Sequence, residues 1–208
     1  PLKNKGGSVG NTPVRAQDYN VLVGDYISKT DAVAQSIASS LSITSATGTA
    51  AGTGIDAVAP LVNVSQIGRD IVTEVFIDIG AGLILSSGAA NDVIGEDGVA
   101  NAYVTKITTA LNGMVYAGEI VCLEVPTTGD PDVNVTANTS GTIAEDAAGA
   151  GQHTLANCGV HTLALKTAFT LPAGGIQDDY IYLTHGGTTA GTYDAGKFLI
   201  RLFGTPIV

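Results

Sequence analysis

Tryptophan is absent from this 208-residue chain, cysteine occurs twice and methionine once. Charged residues make up 13% and aromatic residues 5%. Each shortage excludes something. Two cysteines, Cys122 in GEIVCLEV and Cys158 in LANCGVHT, do not make a disulfide scaffold. They allow one bridge or two buried thiols, with the thiols favoured. Scarce aromatics leave little for a sugar-stacking platform. Nine Lys and Arg stand against 19 Asp and Glu, for a net charge of −10. No contiguous basic patch is present, so nucleic acid is not an expected partner. An acidic surface fits solubility or docking on a complementary surface. The longest apolar runs, IVCLEV and FLIRLF, fall far short of the ~20 residues that span a bilayer. No membrane partner is expected either. The opening PLKNKGGSVG lacks the basic and apolar regions of a secretory signal, and Pro1 suits removal of an initiator Met. Synthesis in a cytoplasm is the expectation, which makes the N-x-[ST] triplets at Asn63, Asn134 and Asn138 chance matches.

What the chain has is 45% hydrophobic residues and 27 glycines, arranged in two periods. Residues 1–43 form an N-terminal arm and a helical segment. Lys3 and Lys5 make the arm locally basic, suited to a solvated tail or to an acidic neighbour. Tyr19, Leu22, Val23 and Tyr26 fall at helical spacing, followed by Val33, Ile37 and Leu41. These stripes are narrow and must pack on something else. Residues 44–60, TSATGTAAGTGIDAVAP, read as a linker of small residues. From 61 to 208 the period becomes two. Strands are expected over 71–79, 101–110, 113–125, 132–137, 160–170, 179–186 and 196–204, with Gly, Asp, Asn and Pro between them. In 113–125 the face of Val115, Ala117, Val121, Leu123 and Val125 is apolar but interrupted by Glu119. In the last strand, Phe198, Ile200 and Leu202 should face a core, and Lys197, Leu199, Arg201 and Phe203 should face outward. The fold class expected is all-β: an antiparallel β-sandwich, specifically a jelly roll, with a short N-terminal helical extension. An immunoglobulin-like strand order stays open.

Chemistry is hard to find. There is no G-x-S-x-G, and His153, His161 and His185 sit in no H-E-x-x-H or C-x-x-C context. They read as surface or satisfied core residues. Glu119 and Glu124 have odd spacing and should point to opposite strand faces; Glu74 and Asp78 share a face that reads as solvated. Asp130, Asp132 and Asn134 begin like a Ca²⁺ loop, but Val135 and Gly141 occupy the places where such a loop needs Gly and Glu. Turn formation is the stronger reading, with a looser Ca²⁺ site left open. No catalytic residue, cofactor or metal site is expected, and the chain reads as no enzyme.

The stretches NTPVRAQDYNVL, DVIGEDGVANAYVTKIT, NGMVYAGEIVCLEVPTTGDPDVNV, GTIAEDAA and YIYLTHGGTTAGTYDAGKFLIRLFG resemble virion structural proteins of marine tailed bacteriophages of the cyanophage type. The resemblance covers most of residues 8–204 and carries strand and turn patterns, not catalytic signatures. It implies a component of the virion, made in the host cytoplasm. The leading expectation is a capsid decoration or cement subunit. Its partners would be copies of itself, a trimer being favoured, and other virion proteins such as the major capsid protein. The interface is expected at Tyr19, Leu22, Val23 and Tyr26, together with Leu199, Arg201 and Phe203. The alternative is a tail-fibre or receptor- or carbohydrate-binding module, with Tyr180, Tyr182 and Tyr193 as a small platform.

Overall fold

The computed structural model describes residues 43–207, with side chains from residue 46. The helical stripe of Tyr19, Leu22, Val23 and Tyr26 lies outside the described residues. The described chain is built on antiparallel strands: β1 (Ile43–Thr47), β2 (Leu61–Ile67), β3 (Asp70–Asp78), β4 (Leu85–Ser87), β5 (Gly95–Glu96), β6 (Thr105–Lys106), β7 (Met114–Thr127), β8 (Val133–Asn138), β9 (His153–Ala156), β10 (Lys166–Ala168), β11 (Tyr180–His185), β12 (Gly191–Thr192) and β13 (Ala195–Thr205). They form a six-stranded sheet in the order β1-β2-β3-β13-β7-β10, a four-stranded sheet β6-β11-β8-β9 and a three-stranded sheet β12-β4-β5.

Alternation decides which way the long strands face. In β3, Ile71, Thr73, Val75 and Ile77 are buried while Val72, Glu74, Phe76 and Asp78 are half-buried. In β13, Phe198, Ile200 and Leu202 are buried, and Lys197, Leu199, Arg201 and Phe203 are half-buried on the other face. The inner face of the six-stranded sheet shares one core with Val133, Val135, Ile181 and Leu183 of the four-stranded sheet. The result is sandwich-like and all-β. Each fully buried Ile or Phe contributes roughly 1.5–3 kcal/mol of burial free energy, so the inner row of β13 anchors both sheets.

Several elements differ from the sequence expectation, each for a local reason. The 44–60 stretch is not a free linker. Its first residues are β1, paired with β2 from Ile43↔Ile67 to Thr47↔Asn63. Gly52 then donates to the carbonyl of Tyr103 at 2.9 Å, and Ile55 is fully buried. The small residues are there because the backbone runs against its neighbour: a Cβ on Gly52 would lie 1.9 Å from the Asn101 carbonyl oxygen. The strand expected over 101–110 shortens to β6 and a single helical turn, Thr109–Asn112. Thr108 caps that turn by accepting the Leu111 N–H, and the Asn112 side chain accepts the Thr108 N–H at 2.7 Å. Gly113 ends it at φ 62°, with the Thr205 carbonyl carbon and oxygen too close for any Cβ. The strand expected over 160–170 reduces to β10, because Ala164 adopts a left-handed φ of 64° and Leu165 closes a turn on Thr162.

Strand β7 corrects the expectation in a second way. Gly118, Ile120 and Cys122 face the core, so Ala117, Glu119 and Val121 of the expected apolar face point outward. Val115 of that set is buried instead. Register shifts between Ala195 and Phe198 and between Phe203 and Gly204 change the parity along the strand. Glu119 and Glu124 therefore do not face apart. Both reach cations of β13, Glu119 at Arg201 and Glu124 at Lys197.

Candidate functional site

Two places concentrate polar chemistry among the described residues. The first is the outer face of the six-stranded sheet. Its central row runs Asn63–Glu74–Arg201–Glu119–Ala168 across β2, β3, β13, β7 and β10. Arg201 Nε meets Glu74 Oε1 at 3.0 Å, Arg201 Nη1 meets Glu119 Oε1 at 3.3 Å, and Lys166 Nζ meets Glu119 Oε2 at 3.0 Å. Signs alternate across the sheet: minus, plus, minus, plus. The Lys166 ammonium, hydrogen-bonded to Glu119, holds that carboxyl below its usual range against the opposing effect of burial. A second triad, Asp78–Lys197–Glu124, lies along the same face, with Lys197 Nζ 3.5 Å from Asp78 and 2.5 Å from Glu124.

Apolar rows flank the charged one. On one side are Leu61, Phe76, Leu199 and Val121; on the other Val72, Phe203 and Ala117. Leu61 is 66% exposed and Leu123, on β7 beside Val121, is 42% exposed. The structure thus brings three of the expected interface residues, Leu199, Arg201 and Phe203, onto one face. The other four lie outside the described residues. Sequence reasoning missed Glu74, Glu119, Lys166 and Phe76 as members of this face. The signal was a lone Glu in the middle of an alternating apolar strand.

The second place is the loop opened by Asp130. This carboxylate is 4% exposed. Its Oδ1 accepts the Asp132 N–H at 2.8 Å and its Oδ2 accepts the Thr189 N–H at 2.9 Å. His185 Nε2 lies 3.0 Å from Oδ2 but off the hydrogen-bonding direction, a close contact and not a well-aligned bond. The other ring nitrogen, Nδ1, donates to the Ala89 carbonyl at 3.0 Å. Burial pushes the Asp130 carboxyl up, but the two backbone N–H groups and His185 outweigh it and hold the group below its ordinary value. Tyr193, fully buried, donates its hydroxyl to the Asp130 carbonyl at 3.2 Å. The cluster ties the 88–92, 128–132 and 186–193 loops together. It leaves neither ring nitrogen of His185 free to act as a base, because one faces a carbonyl and the other a carboxylate.

The remaining candidates are structural too. His161 is 2% exposed, bonds the Val133 carbonyl through Nε2 at 2.8 Å and tilts against Phe198. Burial lowers its pKa. Asp132 lies beside this ring, and burial followed by the neighbouring Asp130 charge raises its pKa; its Oδ1 is buried without a hydrogen-bond partner. Asn134 does not point into a cation loop: its Oδ1 accepts the Cys158 N–H at 2.8 Å. Among the described residues no group of three or more His, Cys, Asp and Glu side chains converges as a metal site. Cys122 and Cys158 are free thiols, and burial pushes the Cys158 thiol up to about 11, away from thiolate reactivity. The tyrosine platform does not exist: Tyr182 and Tyr193 are fully buried, Tyr182 donating to the Ser140 carbonyl at 2.7 Å. Comparison of the chain with family models, curated proteins and solved structures found no match.

Proposed function

We propose that this chain is a non-enzymatic structural subunit of a phage virion, a capsid decoration or cement protein that works as a homo-oligomer on the particle surface beside the major capsid protein. The observation that carries the reading is the outer sheet face. A broad sheet surface with half-buried Phe76, Leu199 and Phe203, and with fully paired charges between the apolar rows, is suited to meeting another surface. The Asp130–His185 cluster supports the same reading, because its polar groups are spent on holding three loops. The particle assignment is supported by the resemblance of the strand and turn stretches to virion proteins. A jelly-roll strand order is not required for this role; two stacked sheets with a broad outer face serve it equally. The fibre or glycan-binding alternative is weakened by the burial of Tyr182 and Tyr193.

Mass spectrometry of particles purified from a lysate in which the chain is produced tests the proposal. The chain should co-purify with the particles in many copies each. Its absence from intact particles, with the chain left in the soluble fraction, contradicts the reading.

A further inference from the structure

The outer face of the six-stranded sheet has an order that selects its own partner. Across the strands the central row reads Glu74, Arg201, Glu119, Ala168, and Lys166, level with Val121, reaches Glu119 from the next row of β10. The rows on either side are apolar, Phe76–Leu199–Val121 and Val72–Phe203–Ala117. We propose that this face pairs with the same face of a second copy of the chain, about a two-fold axis parallel to the strands and midway between β13 and β7. The proposal rests on reading the chain as a self-assembling subunit.

The charges decide the axis. A two-fold parallel to the strands keeps each row level and reverses its order. Arg201 then lies over Glu119 of the second copy, Glu119 over the second copy's Arg201, and Glu74 over Ala168 of β10, one row from Lys166. The Asp78–Lys197–Glu124 row obeys the same rule, with Lys197 over Glu124 of the second copy. The apolar rows meet each other, Leu199 over Val121 and Phe203 over Ala117. A two-fold perpendicular to the strands and running along the central row would instead stack Arg201 on Arg201 and each Glu on itself. A three-fold axis does not bring one face onto itself, because a self-complementary contact is a property of two-fold symmetry. This geometry favours a two-fold pair over the three-fold favoured from the sequence alone.

The two-fold lays four strands, β3, β13, β7 and β10, over their counterparts. Four strands at about 4.8 Å and about nine residues at about 3.3 Å cover roughly 570 Å². That is below the about 800 Å² per partner of a standard interface, so charge order and not area selects the partner. Sheets stacked face to face pack about 10 Å apart and within about 30° of alignment. The half-exposed Leu199 and Phe203 suit such a layer.

Sedimentation equilibrium of the full chain tests this, with far-UV circular dichroism as the check on folding. The wild type should sediment at twice its mass of 20.9 kDa, or at even multiples of it. Leu199→Glu and Val121→Glu should keep the wild-type spectrum and weaken association at least tenfold. Leu83→Glu, changing a residue that is 61% exposed and outside these rows, should leave association unchanged. If a glutamate variant does not fold, Leu199→Ser supplies the same reading with a smaller perturbation. A folded Leu199→Glu or Leu199→Ser chain that still assembles like wild type overturns the proposed face while leaving the structural-subunit reading intact. A three-chain mass overturns the two-fold. A wild type that remains a single chain at high micromolar concentration overturns the proposal, and its absence from particles would separately overturn the reading beneath it.

Discussion

Asp130 and Asp132 are neighbours in one turn with opposite electrostatic situations. Asp130 is stabilised as a carboxylate by two backbone N–H groups and by His185. Its pKa in the fold lies below the unfolded value of about 3.9. Its stabilisation is therefore complete above about pH 4 and is lost as pH falls through the folded value. Asp130→Asn should cost about 1–3 kcal/mol, the range for leaving a buried backbone donor unsatisfied. Urea denaturation at pH 7 measures it, and a midpoint equal to wild type would contradict the clamp. Asp132 behaves in reverse. Burial and the Asp130 charge raise its pKa above about 3.9, so its charged form penalises the fold at neutral pH. The penalty is relieved as pH falls from above the raised value towards 3.9. Asp132→Asn should raise the melting temperature at pH 7 and flatten its dependence between pH 7 and about 4. A lower melting temperature with the wild-type pH slope would contradict this. These roles were not legible in the sequence. D-x-D-x-N is compatible with a cation loop, and only the approach of residues 185–189 shows that the first carboxylate is already occupied.

At the scale of elements, the long strands were legible because alternation persists over many residues. β3 and β13 take the faces read from their sequences: Val75 and Ile77, and Phe198 and Ile200, are inside. Short strands were legible only where turn chemistry did not intervene. The Thr108 cap and Gly113 convert half of an apparent strand into a helical turn. β1 hides in a run of Gly, Ala and Thr whose small size reflects close backbone packing. The bulged register between β7 and β13 reverses the parity of Glu124 relative to Glu119, which no periodicity count reveals. Ile200 is fully buried between Val75 and Ile120 in the sheet register, so Ile200→Asp buries a carboxylate without a cation. The cost of several kcal/mol is a large part of a domain's ~5–15 kcal/mol. Soluble yield should collapse. Arg201→Ala should fold, because Glu119 keeps Lys166 at 3.0 Å, and should weaken assembly. An Ile200→Asp chain that folds like wild type would place the wrong row of β13 in the core.

At the scale of the whole molecule, the proposed role uses a face and not a cleft. Leu199, Arg201 and Phe203 were visible as the mixed side of a strand, but their partners come from β3, β7 and β10, as far as 127 positions away in sequence. Sheet order joins them, and sheet order is set by the shared core, which local periodicity does not encode. The same assembly brings Asp130 to His185 and occupies the Asp130 carboxylate with backbone donors. The proposed role requires the outer face to be covered when the chain assembles. Hydroxyl-radical footprinting of the wild-type chain over a concentration series reads this directly. Phe76, Leu199 and Phe203 should become protected together as the mass doubles, while Leu83 and Ile207 stay reactive. Reactivity of the three that does not change with concentration, or protection already complete in the single-chain species, would contradict pairing through this face.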